Sequence, residues 1–181
     1  MVRQFFLVAF LLLIAVNSYS ADSLASTGLP KGILPVENRV APPLVLSDVD
    51  GGRFSLAQQK GRWVFVHFWA SWCGPCRREI PAIQRLLEKN KNRNLSFAIV
   101  NTAESEDTIF NFLGIIAPDI ESLMDRDGLA TEAWKPRGLP STYLVDPDGV
   151  IRYQALGDRP WDKPEYMGFL NTLSAEGAVE K

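Results

Sequence analysis

Residues 63–76 of this chain read WVFVHFWASWCGPC, an apolar run that leads directly into a Cys-x-x-Cys motif. The run from Trp63 to Trp69 is β-branched or aromatic at nearly every position, which is typical of a strand buried on both faces. Beyond the motif, apolar residues recur at helical spacing from Ile80 to Leu87, which predicts a helix from about Cys73 to Asn90. The first cysteine therefore lies at a helix N-terminus, immediately after a buried strand.

Cys73 and Cys76 are the only cysteines of the chain, and their spacing indicates redox chemistry rather than a structural cross-link. A disulfide that closes so short a loop stabilises a fold by only about 2 kcal/mol, whereas a loop of about 100 residues gives about 4.7. The free N–H groups and the dipole of a helix N-terminus stabilise an anion, so we expect a lowered thiol pKa for Cys73. We predict that Cys73 is the nucleophile of thiol–disulfide exchange and that Cys76, further inside the helix, is the more shielded, resolving thiol.

Three neighbours of the cysteines are predicted to shape this site. Gly74 lets the backbone of a partner protein approach closely, and Pro75 restricts the turn between the two cysteines. Trp72 is expected to cover one side of the disulfide and to offer an apolar docking surface.

The remainder of the chain alternates strands with helices. Two short strands flank the turn sequence Asp48–Gly52 and predict a β-hairpin. Further strands are expected at residues 95–100, 121–124, 141–145 and 150–155. Further helices are expected at residues 105–117, 127–134 and 162–173. This order predicts an α/β sandwich in which helices flank a mixed central sheet.

The first 20 residues have the pattern of a secretory signal peptide. Arg3 supplies a positive charge, Phe5–Val16 is an uninterrupted apolar run, and small residues precede a cleavage site before Ala21. The alternative is an uncleaved segment that tethers the protein to the membrane; in both cases we expect an exported, for example periplasmic, protein. Residues 21–40 are rich in Gly, Pro and Ser and are interpreted as a flexible lead-in, and residues 41–176 as one domain.

The charge balance and the small number of potential metal ligands argue against two classes of function, nucleic-acid binding and haem or metal binding. The 19 basic and 21 acidic residues give a net charge of −2, so nothing suggests binding to nucleic acid. A haem c attachment motif would need His after the second cysteine, where this chain has Arg77. Two thiols and one histidine are too few ligands for a zinc or copper site, so we expect no metal; metal analysis of the reduced protein would test this.

Several motifs together resemble the TlpA/ResA branch of exported thioredoxin-like proteins. The sequence Trp-Cys-Gly-Pro-Cys at residues 72–76, with Pro81 five residues later, is similar to that of thioredoxin. The branch is indicated by Ala41–Pro43, Asp50–Gly52, Ser55–Leu56, Phe68–Trp72, the strand–helix stretch from about Thr102 to Pro118, Gly138–Tyr143 and Asp146–Gly149. The resemblance covers about residues 41–173. It implies a thioredoxin-like three-layer sandwich with an N-terminal β-hairpin and a central strand–helix insert.

The resemblance also implies site residues and partners. Pro140 would be a cis-proline facing the cysteines, and the backbone of Leu139 would pair with an incoming substrate strand; the alternative is that Gly138–Pro140 is only a tight turn. The protein would be a reductase of protein disulfides, in the haem-site cysteines of apocytochrome c or in copper sites. A membrane electron donor would re-reduce it. We expect a monomer without a small-molecule cofactor.

His67, the only histidine, lies nine residues before Cys76, where thioredoxin has a buried acid that assists proton transfer to the resolving thiol. A neutral imidazole at this position could relay the same proton near pH 7. The alternative is a core histidine whose ring is tied to a backbone carbonyl. The sequence does not decide between the two.

Two other enzyme functions are open to a Cys-x-x-Cys protein of this kind. A thiol peroxidase of the peroxiredoxin type would place Pro and Thr or Ser at fixed offsets before its reactive cysteine. Here Ala70 stands three residues before Cys73 and Trp69 seven before Cys76, so the pattern disfavours this function. A disulfide oxidant or isomerase is the other alternative. The Gly-Pro dipeptide of thioredoxin favours a reductase, since thioredoxin has a potential of about −270 mV against about −120 mV for a strong oxidant.

Overall fold

The computed structural model describes residues 28–90 and 94–176. The predicted signal peptide at residues 1–20 and the first part of the predicted lead-in lie outside these residues. Within the described residues there are eight strands: β1 Ile33–Val40, β2 Val45–Asp48, β3 Arg53–Ser55, β4 Trp63–Trp69, β5 Leu95–Thr102, β6 Ser122–Asp125, β7 Ser141–Val145 and β8 Val150–Leu156. The helices are α1 Gly74–Lys89, α2 Glu106–Ile116, α3 Leu129–Trp134 and α4 Pro164–Glu176, with a short 3-10 helix at Leu56–Gln59.

The strands form one mixed sheet in the order β1-β8-β7-β4-β5-β6-β2-β3. The strand β4 lies in its middle, parallel to β5 and antiparallel to β7, and all seven of its residues are buried. Such a strand needs apolar side chains on both faces, which explains the continuous apolar run in the sequence. The prediction of a mixed central sheet is confirmed.

Helices cover both faces of the sheet. Alternate residues of β4 point to opposite faces, so Phe65 and Trp69 pack with residues of α1, α2 and α4, whereas Val64, Val66 and Phe68 pack with Trp134 of α3. The three-layer thioredoxin-like sandwich is therefore confirmed. By the same alternation, the side chain of His67 lies on the face that α1 covers.

Residues 33–40 differ from the prediction of a flexible lead-in. They form the edge strand β1, which pairs antiparallel with β8 and has a register shift between Pro35 and Arg39. Gly and Pro residues at 28–35 led to the prediction of a flexible segment. An edge strand nevertheless tolerates Pro, because one of its sides has no partner strand. The side chain of Ile33 is buried and anchors the strand, so the folded domain begins before Ala41.

The predicted N-terminal hairpin and the first helix are confirmed. Strands β2 and β3 pair antiparallel, and β2 joins the sheet beside β6. The Asp48 carboxylate accepts hydrogen bonds from the backbone N–H groups of Asp50 and Gly52 and closes the turn. Helix α1 begins after Cys73 and ends before Asn90. The predicted central insert contains the end of β5 and α2.

None of the helices within residues 28–90 and 94–176 has both the length and the apolar character needed to cross a bilayer.

Candidate active site

Cys73 and Cys76 lie where β4, through the four-residue loop 70–73, leads into α1. Cys73 is the N-cap residue of the helix, and its Sγ accepts a hydrogen bond from the backbone N–H of Cys76 at 3.3 Å. The two residues form a disulfide with a Cα–Cα distance of 5.2 Å. Cys73 is 6% exposed and Cys76 is fully buried, so the cysteine at the helix N-terminus is the more exposed of the two residues. That is the geometry in which a thiolate at position 73 is stabilised by the helix and can attack a partner.

Trp72, Gly74 and Pro75 surround this disulfide. The side chain of Trp72 is 69% exposed, which is unusual for so large an apolar group. A Cβ atom added to Gly74 would meet only the end of the Arg78 side chain at 4.0 Å, so the surface beside Cys73 is open. Pro75 stands in the first turn of α1, where its missing N–H costs no hydrogen bond.

The loop before β7 approaches the same end of the sheet. The peptide bond between Leu139 and Pro140 is cis, as the family resemblance implied. Ser141 pairs with Phe68 of β4, so the strand register places Pro140 beside Trp69, close to the loop that carries the cysteines. Leu139 packs against the hydrophobic cluster that contains both cysteines.

His67 faces a second buried ionisable group, Glu79 of α1. Both side chains are fully inaccessible, and the His67 Nε2 to Glu79 Oε2 distance is 3.6 Å. Neither of these two atoms has a hydrogen-bond partner among the described residues. On its other side, the His67 ring shares a hydrogen bond between Nδ1 and the Thr142 hydroxyl at 2.9 Å. The partner of His67 is therefore a hydroxyl group, not the backbone carbonyl that one of the two alternatives named.

Burial shifts both pKa values towards the neutral forms. Desolvation lowers the pKa of His67 from 6.5 to about 3. Desolvation also raises the pKa of Glu79 from 4.5 to about 8, although hydrogen bonds from the backbone N–H of Arg159 at 2.9 Å and from the Trp161 indole at 2.5 Å oppose the rise. At neutral pH the site thus holds a neutral imidazole beside a protonated carboxylic acid.

Glu79 is a site residue that was not predicted from the sequence. A signal was present, because Glu79 falls in the stripe Cys76, Ile80 and Ile83, which faces the core. A charged residue in such a stripe is costly to bury, so its presence indicates a function or a specific partner. Glu79 follows Cys76 by three residues, which places both side chains on the same face of α1.

The other tryptophans and Arg77 contribute to packing around the site. Trp63, Trp69, Trp134 and Trp161 are all buried in the core. Arg77 is exposed, but its guanidinium lies 5.1 Å from the centre of the Phe112 ring and donates a hydrogen bond to the Ser71 carbonyl. In the described part of the chain, no three His, Cys, Asp or Glu side chains are close enough to hold a metal ion.

Known proteins resemble this chain in both sequence and fold. A profile of the AhpC/TSA family matches residues 38–154. The thiol-disulfide oxidoreductase ResA of Bacillus subtilis is 32% identical over 115 residues, which span 64% of this chain and 64% of that protein. ResA of Bacillus thuringiensis is 27% identical over 134 residues, 74% of this chain and 76% of the relative.

Solved structures of related proteins superpose on most of the chain. A candidate thiol:disulfide interchange protein DsbE from Chlorobium tepidum has a TM-score of 0.64 and 26% identity, covering 83% of this chain and 99% of the other. StoA from Bacillus subtilis is 20% identical, and the match covers 71% of this chain and 98% of StoA. Its TM-score of 0.63 shows that the two proteins share the fold. These matches confirm the resemblance to thioredoxin-like thiol-disulfide oxidoreductases.

Proposed function

The chain belongs to the AhpC/TSA family, and we propose that it works as a thiol-disulfide oxidoreductase in the reducing direction, on disulfides of proteins outside the cytoplasm. The observation that carries this proposal is the Cys73–Cys76 disulfide at the N-terminus of α1, beside the cis-Pro140 loop. Such a pair takes up and releases two electrons without a bound cofactor.

The exchange proceeds in two steps. The Cys73 thiolate attacks one sulfur of a client disulfide, so a mixed disulfide forms and a client thiolate leaves. The Cys76 thiol then loses its proton and attacks the Cys73 sulfur, which releases the second client thiolate and leaves the Cys73–Cys76 disulfide. The client gains the two electrons that the cysteine pair loses. A dithiol donor must return them, for which we propose a membrane protein.

Docking of the client uses the exposed groups around the disulfide. Trp72 offers an apolar surface, and the absence of a side chain at Gly74 leaves room for a client backbone. The backbone of Leu139, next to cis-Pro140, is proposed to pair with the client strand. These contacts would hold the client sulfur in line with Cys73.

We propose that the buried pair His67 and Glu79 assists proton transfer to and from the Cys76 thiol. A general base works best when its pKa lies near the working pH, and the raised pKa of Glu79, about 8, meets this condition. Glu79 is among the lining residues of a surface cleft of about 310 Å³, together with Arg78 and Lys163, although its side chain is itself inaccessible to solvent.

The relatives support a disulfide-containing protein as the substrate. Proteins named ResA and DsbE match this chain; for this chain we propose clients with a reducible cysteine pair, either haem-site cysteines of apocytochrome c or cysteines of copper sites. Export by residues 1–20, as a cleaved signal or as a tether, would bring the protein to these clients. We propose that it acts as a monomer.

The test is the reduction potential of the Cys73–Cys76 pair, measured by equilibration with dithiothreitol or glutathione and read from tryptophan fluorescence. A value close to thioredoxin's, about −270 mV, supports a reductase. A value close to about −120 mV would instead assign the oxidant or isomerase alternative. Rapid consumption of hydrogen peroxide by the reduced protein would favour the thiol-peroxidase alternative.

A further inference from the structure

We propose that Glu104 is a positioning residue for disulfide exchange, because its carboxylate fixes the loop that presents Cys73 to a client. The inference rests on the proposed exchange chemistry of Cys73. It assigns to the central insert, which carries Glu104, a direct part in arranging the reactive cysteine.

The contact between Glu104 and Ser71 joins two loops that are distant in sequence. The backbone N–H of Ser71 donates to Glu104 Oε2 at 2.7 Å, and the Ser71 hydroxyl donates to Glu104 Oε1 at 2.5 Å. The buried side chain of Asn101 donates a third hydrogen bond to Oε2 at 2.7 Å. Hydrogen bonds to a carboxylate are about twice as strong as those between neutral groups, so we expect Glu104 to hold Ser71 strongly.

Arg77 binds the remaining polar group of Ser71, its backbone carbonyl. Its guanidinium donates to the Ser71 carbonyl at 3.3 Å and packs on Phe112 of α2. Phe112 in turn packs against Trp69, with ring centres 5.4 Å apart. The N–H, hydroxyl and carbonyl of Ser71 are therefore all bound by side chains of other segments.

The backbone before Glu104 supports a specific role. Strand β5 ends at Thr102, and Ala103 adopts a φ of 55°, in the left-handed region that residues with a side chain rarely occupy. The Ala103 N–H donates to the Asp125 carbonyl, which fixes this turn. Unusual backbone conformations are kept where the surrounding structure requires them, often at functional sites. Here the turn immediately precedes the residue that binds the cysteine loop.

Ser71 is two residues from Cys73, so its position determines where the reactive sulfur lies. The Cys73 N–H donates to the Ala70 carbonyl at 3.2 Å, which makes residues 70–73 one tight turn. A displacement of about 1 Å at a reacting group can cost about 100-fold in rate. Loss of Glu104 leaves the two Ser71 donors and the Asn101 amide without this acceptor, and we expect the turn to shift.

The experiment measures the rate at which Cys73 reacts with iodoacetamide and with a model disulfide as a function of pH, in full-length protein carrying Cys76→Ser. In the Glu104→Ala variant, we expect the rate at high pH, where the thiol is fully ionised, to fall by about tenfold or more. Glu104→Gln keeps one carbonyl acceptor for Ser71, so its rate should lie between those of wild type and Glu104→Ala. Ser71→Ala should lower the rate less, and its effect should not add fully to that of Glu104→Ala.

Glu106→Ala is the matched control, because it removes a nearby exposed carboxylate whose ion-pair partner is Arg126, not a residue of the cysteine loop. The proposal is wrong if folded Glu104→Ala reacts at high pH as fast as wild type and Glu106→Ala. It is also wrong if the only change is a lower Cys73 pKa, since Glu104 would then act through its charge alone. If the Cys73–Cys76 pair of the unaltered protein exchanged with no disulfide, the proposed function itself would be contradicted. The role of Glu104 is tested separately, by the ratio of the rate of each variant to the rate of the protein that keeps Glu104.

Discussion

At the scale of single residues, the two cysteines have different surroundings and therefore different predicted roles. Cys73 caps α1 and is slightly exposed, whereas Cys76 is fully buried one turn away. Only a thiolate that a client can reach can begin the exchange. The same difference decides which single-cysteine variant captures a client.

Cys76→Ser is expected to trap the client as a stable mixed disulfide through Cys73, because no resolving thiol remains. Cys73→Ser, the matched variant, should trap none, since the remaining thiol is inaccessible. Non-reducing electrophoresis followed by mass spectrometry of the trapped species measures both. The opposite pattern would reverse the assignment of nucleophile and resolving thiol.

His67 and Glu79 act, on our proposal, after the mixed disulfide has formed. Replacing His67 with Ala, or Glu79 with Gln, should slow resolution by about tenfold or more while the first attack of Cys73 is little changed. Stopped-flow tryptophan fluorescence separates the two steps. Glu88→Gln, which changes an exposed glutamate of the same helix, is the control. Equal resolution rates in all variants would leave His67 and Glu79 as core residues.

At the scale of elements, β1 extends the sheet beyond the boundary that the sequence predicted. Its Ile33 side chain is buried, the Arg39 guanidinium donates to the Trp134 carbonyl at 2.6 Å, and the Lys31 carbonyl accepts a hydrogen bond from Tyr166. These contacts tie the segment before Ala41 to β8, α3 and α4.

A chain that begins at Ala41 should therefore be less stable than one that begins at Gly28. Burial of Ile33 alone is worth about 1.5–3 kcal/mol, and removal of β1 also exposes the edge of β8 to aggregation. Urea unfolding of the two chains, with light scattering to detect aggregates, measures the difference. Equal unfolding midpoints would mean that the segment is a dispensable lead-in after all.

At the scale of the whole molecule, the buried pair His67 and Glu79 makes the stability of the folded protein depend on pH. Below pH 6.5 the unfolded chain protonates His67, whereas the folded protein resists protonation down to about pH 3, so stability falls as the pH decreases in this range. Above pH 4.5 the unfolded chain ionises Glu79, whereas the folded protein keeps that proton up to about pH 8, so stability falls as the pH rises in that range. The two effects oppose each other between pH 4.5 and 6.5.

From pH 6.5 to 8 only the effect of Glu79 remains, and we expect the free energy of unfolding of the oxidised protein to decrease by about 2 kcal/mol. Urea unfolding at a series of pH values measures this decrease. Glu79→Gln cannot ionise, so the decrease should largely disappear in that variant. The same decrease in wild type and Glu79→Gln would show that other groups cause it.

The sequence determined the features that repeat along the chain or lie close together in it. The apolar run of β4, the helical spacing of α1 and the turn residues of the β2–β3 hairpin each encode a local backbone conformation, and all three were predicted correctly. The cysteine pair and its place at a helix N-terminus follow from the same local patterns. The cis peptide bond before Pro140 came from the family resemblance rather than from any local pattern.

Only the tertiary structure decided which distant residues meet. Glu79 faces His67 because α1 packs on the face of β4 to which His67 points, and Glu104 reaches Ser71 because the ends of β4 and β5 lie side by side. Strand β1 was missed because its pairing with β8, not its own residues, makes it a strand. Local periodicity reports backbone conformation and burial, whereas a contact between buried polar groups depends on how separate elements pack, which no single stretch of sequence contains.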